Sequence, residues 1–282
     1  MNNIFNIKRF GLVFRKDMLE NWKRYLLLFI TMLGMITIVI TWTSFENYNK
    51  DHYRPDLNYT LLKILLLMFG AFGLLFSSTF MNPMNSKIKR MAYLINPSSN
   101  LEKYLSRWVI VTAGYVISFF IALLIADILR IGMCSVRYSE ANVTFLDLTK
   151  LIYMGNSWSY SGYIFNKELF IITTATYLLF QSLFILGSTF WEKSTFIKTF
   201  TAGALILLSY ALICRWTILL IYGNFDNFGN ALWSLENVSI NHNDISKERG
   251  MILVSSVISV FTLINLTLAY FRFRESEIIK RL

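Results

Sequence analysis

Two charged residues lie well inside long apolar stretches of the sequence, where a charge is costly and usually functional. Asp127 falls near the end of the third apolar stretch and Arg215 falls within the fifth. On insertion scales a charge in lipid costs roughly 2.5–3.5 kcal/mol, so each charge is expected to have a partner or a wet cavity. We predict that Asp127 and Arg215 lie at similar depth in the outer half of a membrane and contact each other beside a cavity. In the alternative, Arg130 is the partner of Asp127, and Asp127 and Arg215 each extend to the lipid headgroups.

Residue types that do chemistry are otherwise scarce. The sequence has no G-x-x-x-x-G-K-[ST] phosphate loop and no H-E-x-x-H metal motif. His52 and His242 are isolated in polar connections, and Cys134 and Cys214 form neither a disulfide framework nor a metal-ligand pattern. We therefore predict no catalytic residues, no metal site and no cofactor. Any ATP hydrolysis has to belong to another chain.

The polar connection between the second and third apolar stretches has an informative pattern. Residues 82–108 read NPMNSKIKRMAYLINPSSNLEKYLSRW. The pattern from Lys87 to Leu94 predicts a short helix with apolar residues on one side and basic residues around the others. Pro97 ends this helix, because a proline disfavours helical structure in the residue before it. A helix–proline–helix element of this size is longer than a simple return loop needs.

The second helix of this connection has its own start signal. Ser98 or Ser99 is placed to cap it, and Glu102 follows in its first turn, where an acidic side chain is favourable. We expect this helix to continue through Tyr104 and Arg107 into the third apolar stretch.

The elements that must position these residues are six apolar stretches. A helix rises about 1.5 Å per residue, so about 20 residues cross a hydrocarbon core of about 30 Å. Only 16% of the 282 residues are charged and the mean hydropathy is +0.48. We predict an all-α integral membrane protein with a single transmembrane domain over 1–282. Its six transmembrane helices lie near 25–43, 61–81, 108–129, 169–190, 200–222 and 251–270.

The distribution of positive charge predicts the orientation of these helices. The formal net charge is +10. The leader, the second and fourth connections and the tail hold about twice as many lysines and arginines as the other three connections. Basic residues are retained inside, so both termini are predicted to be cytoplasmic. The charge is thus a topology signal first and an attraction to anionic lipid second. No nucleic-acid partner is predicted.

Three further segments have distinctive patterns. Residues 3–20 form a basic amphipathic pattern that predicts a helix lying in the inner interface; the alternative is a solvated leader. Residues 131–168 and 223–250 are external and rich in aromatic side chains. They are too interrupted for further spans, and we interpret them as interfacial or partly re-entrant helices.

Taken together, six spans, inward termini, a lead-in helix and a basic helical connection resemble a known family. The sequence is similar to the transmembrane permease subunit of an ATP-binding-cassette exporter of the type-2 class. In that family the second-to-third connection has a basic stretch, small and apolar residues, a Pro-Ser-Arg-like break, and an acidic residue followed by lysine. The matching residues here are Lys87, Lys89, Arg90, Leu94, Pro97, Ser98, Glu102 and Lys103. The family's acidic residue at the start and its glycine-threonine pair are missing, and serine or asparagine replaces the arginine after the proline.

The resemblance implies a partner and a role for the 82–107 connection. In such exporters the connection docks in a groove of a separate ATP-binding subunit, and ATP-driven closure of two ATPases moves the spans. It also implies a second permease copy or homologue, contact with membrane lipid, and a bacterial plasma membrane. The predicted ATPase-coupling residues are Lys87, Lys89, Arg90, Met91, Tyr93, Leu94, Pro97, Glu102 and Lys103.

A second hypothesis is a membrane-embedded sensor or immunity-type binding module without transport. In that case the external aromatic segments hold a ligand or partner. A transport subunit should copurify with an ATPase, whereas a sensor should accompany a kinase or regulator. An intramembrane enzyme ranks last, because the spans lack paired acids and nucleophile motifs.

Overall fold

The computed structural model describes most of the chain. The described residues are 5–48, 57–84, 91, 93, 95, 97–138, 143–153, 165–191, 194–222 and 244–275. Within these ranges the regular secondary structure is helical, apart from one two-residue parallel pairing between β1 (Ile152–Tyr153) and β2 (Phe165–Asn166). The predicted all-helical fold class is therefore confirmed for the part of the chain described.

Six long helices make up the described fold, and each is long and apolar enough to cross a membrane. The predicted spans fall within them, except that the last three residues of the second prediction lie in a turn. Single turns of 3-10 helix lie at Asn82–Met84 and Leu148–Leu151. The six helices are α1 (Ile7–Tyr48), α2 (Leu57–Ser78), α3 (Asn100–Arg137), α4 (Lys167–Phe190), α5 (Thr195–Tyr222) and α6 (Asp244–Glu275).

Helix α1 is longer than a single span requires. It runs unbroken for 42 residues, which at 1.5 Å per residue is roughly 63 Å, about twice the hydrocarbon thickness. The described part of the lead-in helix predicted at 3–20 is therefore continuous with the first span. Its interfacial position stays a prediction.

Helix α3 is also continuous, and it contains a local irregularity. Five residues, Ile110–Gly114, adopt π-helical geometry between the α-helical segments Asn100–Val109 and Tyr115–Arg137. Such π-bulges are rare and occur frequently at functional sites. The helix thus joins the polar connection directly to the third span, as the sequence predicted.

Two apolar clusters hold the helices together. The first joins the middles of α1, α2 and α3 through residues such as Ile36, Leu61 and Ala122. The second lies at one end of the bundle. It joins the turn after α2 and Tyr93 of the following connection to the first part of α3, the last turns of α6 and Ile185 of α4. Helix α4 packs extensively on α6, and α1 packs extensively on α3.

Two glycines allow helices to approach closely. A Cβ atom at Gly73 of α2 would overlap the side chain of Tyr177 on α4, and one at Gly187 of α4 would overlap Thr199 on α5. Small residues at helix contacts are typical of membrane proteins, where close packing replaces the hydrophobic effect as the source of association.

The outer faces of the six helices carry many exposed large apolar side chains, including Leu67 on α2, Ile117 on α3 and Leu205 on α5. An apolar surface this extensive is unfavourable in water. It is the surface expected where the surrounding solvent is lipid. Together with the span lengths, it indicates a multi-pass membrane protein.

The two external segments are described only in part. Helix α3 extends to Arg137 and therefore includes the beginning of the 131–168 segment. Residues 143–153 then fold back on α3, where Leu146 packs against the central apolar cluster. The second segment lies mostly outside the described residues, except for the start of α6.

Candidate functional site

The start of α3 is fixed by a capping box. The Glu102 backbone N–H donates to Ser99 Oγ at 3.2 Å, and the Ser99 N–H donates to Glu102 Oε2 at 3.0 Å. The predicted cap is therefore confirmed, with Ser99 as the N-cap residue. Such a box satisfies two backbone donors that a helix start otherwise leaves unpaired.

The same carboxylate also binds the start of α1. Glu102 Oε1 accepts from the Asn6 N–H at 2.7 Å and from Arg9 Nη2 at 3.1 Å. The Glu102 side chain is fully buried, whereas that of Arg9 is partly exposed. One carboxylate thus joins the N-terminal ends of two helices, where the helix dipoles favour a negative charge.

A buried ion pair joins the same two helices further along, five residues after Glu102 on α3 and eight residues after Arg9 on α1. Arg107 Nε lies 3.1 Å from Asp17 Oδ2, and Arg107 Nη2 donates to Asp17 Oδ1 at 3.3 Å. Ser106 Oγ donates to Asp17 Oδ2 at 3.5 Å, and Arg107 Nη1 donates to the Tyr25 hydroxyl at 3.4 Å. The sequence reasoning did not single out this pair. The sequence signal for this pair is Asp17, an acidic residue within the basic N-terminal segment.

Helix α6 holds the other side of the 82–107 connection. The Tyr93 ring is buried against Phe273, and its hydroxyl donates to the Lys103 carbonyl oxygen at 3.4 Å. The Lys103 ammonium lies 5.7 Å from the centre of the Tyr93 ring. The Tyr104 hydroxyl donates to the Leu266 carbonyl oxygen at 2.9 Å. The connection is therefore fixed to α1 on one side and α6 on the other.

The predicted coupling residues that the structure describes divide into two groups. Tyr93, Glu102 and Lys103 are buried within this chain, so in this conformation they hold the connection in place and are not available to a partner. Met91 is 52% exposed, and Pro97 is also exposed. Lys87, Lys89, Arg90 and Leu94 lie outside the described residues.

Ile95 adds a second exposed apolar side chain beside Met91. It is 79% exposed, and its N–H donates to the Met91 carbonyl oxygen at 3.0 Å. This bond links residues four apart, as in an α-helix. Met91 and Ile95 therefore lie close together on the outside of a connection whose base is buried.

The intramembrane acid has partners close by. Asp127 Oδ1 accepts from Arg130 Nε at 2.7 Å, and Asp127 Oδ2 accepts from the Leu146 N–H at 2.9 Å. Arg130 Nη2 also donates to the Thr144 carbonyl oxygen at 2.7 Å. This geometry corresponds to the alternative in which Arg130 serves Asp127. Arg215 is exposed on α5. Its contact with Asp127 stays a prediction, and the Asp127 carboxylate already has Arg130 and the Leu146 N–H as partners.

No protein-family model, curated protein or solved structure matches the chain. Among the described residues no three His, Cys, Asp or Glu side chains come together to hold a metal ion. The 82–107 connection thus combines residues that are buried against α1 and α6 with two exposed apolar side chains, Met91 and Ile95.

Proposed function

We propose that this protein is the membrane-spanning subunit of an ATP-driven transporter, an exporter, that couples to a separate ATPase subunit. The observation that supports this most directly is the exposed pair Met91 and Ile95 on a firmly held connection. Interface hot spots lie in well-packed, desolvated pockets of the partner, and Met is one of the residue types enriched at interfaces. The neighbouring basic residues Lys87, Lys89 and Arg90 complement an acidic rim around such a pocket.

The attachments of the connection to other helices support a coupling role for it. Glu102 and Arg107 bind α1, and Tyr104 binds α6. Protein interiors are close-packed and transmit displacement. In the proposed mechanism, a displacement of the connection at Met91 moves the start of α1, the start of α3 and the end of α6 together. Alternating access requires such a joint movement of helices.

The remaining parts of the proposal concern the surroundings. Both chain termini lie on the cytoplasmic side of a bacterial plasma membrane, where the ATPase is. A second copy or homologue completes the pathway, and lipid covers the outer faces. These parts follow from the charge distribution and the family resemblance.

The test is affinity purification in mild detergent with identification of the bound proteins. Recovery of an ATPase is expected from the wild type. Met91→Asp and Ile95→Asp place a charge at the contact, and hot-spot losses of about 2 kcal/mol or more correspond to at least about 30-fold weaker binding. Phe145→Asp is the control, because Phe145 is 66% exposed but lies on the predicted outer connection.

The outcome separates the two hypotheses. Loss of the ATPase with the two aspartates and retention with the control support the coupling role. Recovery of a kinase or regulator in place of an ATPase, or equal recovery from all variants, contradicts it.

A further inference from the structure

A groove of about 160 Å³ lies between α1 and α2, and residues of α3 form its floor. On α1 it extends from Met18 to Met32, which is about 21 Å along the helix axis at 1.5 Å per residue. Two residues at its rims, Thr31 of α1 and Leu75 of α2, are exposed, so the groove opens toward the surrounding lipid. The predicted first span begins at residue 25. The groove therefore crosses from the level of the lipid headgroups into the hydrocarbon.

The part of the groove within the span suits an acyl chain. Its lining is apolar apart from a few hydroxyl groups, and none of its described lining side chains carries a charge. Thr31 and Ser118 each donate to a carbonyl oxygen of their own helix, and Tyr115 donates to a carbonyl oxygen of α2. An engineered apolar cavity of about 150 Å³ binds benzene, so about six carbon atoms of a chain fit here.

Arg24 lies at the headgroup end of this groove. It directly precedes the predicted span, and its side chain tilts toward the N-terminus of α1 and thus away from the hydrocarbon. Leu28 and Thr31, which line the groove, follow Arg24 by four and seven residues and therefore share its face of the helix. Arg24 is exposed, so a lipid headgroup can reach it.

A second guanidinium group lies beside the same end of the groove. Tyr25 lines the groove, and its hydroxyl accepts from Arg107 Nη1 at 3.4 Å. Arg24 and Arg107 are close enough to interact as like charges. An anion placed here would therefore be attracted by both groups.

The positive charge at this end exceeds the negative charge supplied by the described residues. Asp17 is bound by Arg107, and Glu20 is paired with Lys16. Arg24 makes no ion pair with a described carboxylate. Three cations thus share two carboxylates, and Arg24 is the exposed cation that remains to be neutralised.

We propose that an anionic phospholipid of the surrounding bilayer occupies this groove, with one acyl chain between α1 and α2 and its phosphate bound by Arg24. The apolar walls accept the chain and the excess positive charge selects the headgroup, as in other basic pockets between transmembrane helices. A zwitterionic lipid fits less well, because its own ammonium group neutralises the phosphate. The site does not depend on the proposed ATPase coupling.

The test is native mass spectrometry of the full chain in mild detergent, titrated with two lipids that have the same oleoyl chains. Phosphatidylglycerol is anionic, whereas phosphatidylcholine is zwitterionic. The attraction of one basic residue to an anionic lipid surface corresponds to about fivefold in affinity. The first phosphatidylglycerol should therefore bind to the wild type about fivefold more tightly than the first phosphatidylcholine.

A charge variant assigns this preference to Arg24. Arg24→Gln should make the affinities for the two lipids equal. Arg274→Gln is the matched control, because Arg274 is also an exposed arginine, lies near the end of α6 and does not line the groove. It should keep the wild-type preference.

A second variant tests the place of the acyl chain. Gly114 ends the π-helical segment of α3 and lines the groove, and a Cβ atom there would meet nothing closer than 3.9 Å. Gly114→Leu therefore extends a side chain into the groove and should remove the tighter phosphatidylglycerol binding. Ala113→Leu is the control, because Ala113 is exposed and lies outside the groove lining.

Three results would overturn the proposal. The first is equal affinity of the wild type for the two lipids, a comparison that needs no variant to fold. The second is an unchanged preference in folded Arg24→Gln protein, or an equal loss in Arg274→Gln, which would mean that any surface arginine attracts the anionic lipid. The third is unchanged phosphatidylglycerol binding in folded Gly114→Leu protein, which would mean that the chain lies outside the groove.

Discussion

The buried pair Asp17–Arg107 offers the most quantitative test of how the 82–107 connection is held. We consider two single substitutions, Asp17→Leu and Arg107→Met, and the double variant. Both side chains are about 95% buried, and two Arg107 nitrogens lie within 3.3 Å of the carboxylate. Each single substitution leaves the other charge buried without its partner.

The expected magnitudes follow from the cost of an unpaired buried charge. Removing one partner of a buried pair typically costs about 3–5 kcal/mol, whereas replacing both by apolar side chains is often neutral or stabilising. Each single variant should therefore lose about 3–5 kcal/mol of unfolding free energy. The double variant should lose less than either single variant, not their sum.

The assay is unfolding in detergent monitored by the fluorescence of the chain's seven tryptophans. Lys16 and Glu20 provide a matched control on the same helix, because this pair is exposed, four residues apart, and separated by 3.7 Å. A double-mutant cycle there should give about 0.3–0.5 kcal/mol. Additive losses for Asp17 and Arg107, or single losses as small as those of the control pair, would refute the reasoning.

Three further predictions use the same unfolding assay. Glu102→Ala should lose at least about 2–4 kcal/mol, because the carboxylate accepts three hydrogen bonds that contribute about 1.5–3 kcal/mol each and are not fully additive within one network. Glu275→Ala at an exposed pair should lose less than about 1 kcal/mol, and equal losses would contradict this. Gly73→Ala should lose about 1–3 kcal/mol through overpacking, whereas Gly70→Ala meets nothing within 4 Å and should not lose stability. Gln181→Leu should gain about 1 kcal/mol or more, because the Gln181 Nε2 amide is buried without a partner among the described residues, and a loss would show that the amide has a partner.

Those features of the fold that depend on one dominant physical effect are predictable from the sequence. Span length and hydropathy predicted six helices, because crossing a bilayer sets a length that few other roles demand. The cap at Ser99 was predictable because its partner Glu102 is only three residues away. The spacing of three residues also favours Arg130 as a partner for Asp127, and the structure shows this ion pair.

The contacts that hold the connection could not be read from the sequence. Asp17 and Arg107 are 90 residues apart, and Glu102 binds Asn6 and Arg9 across a similar separation. Such pairings depend on how the helices pack, and a periodic pattern leaves that open. For the same reason the pattern did not predict that Tyr93 turns inward toward α6 and not outward toward a partner.

Gln181 illustrates a signal that the sequence did contain. A lone glutamine in an apolar span is recognisable as costly, but only the structure shows whether a neighbouring helix satisfies it. Asn265 on α6 is satisfied by Ser182. Gln181, one residue away along α4, is not satisfied within the described chain.

The most direct test of the proposed coupling is site-specific photo-crosslinking from position 95 in native membranes. Ile95 is 79% exposed, so a photoreactive residue at this position should disturb the fold little. The account predicts a crosslink to a cytoplasmic ATP-binding protein. A crosslink formed only with lipid, or with a protein on the outer side of the membrane, would contradict it.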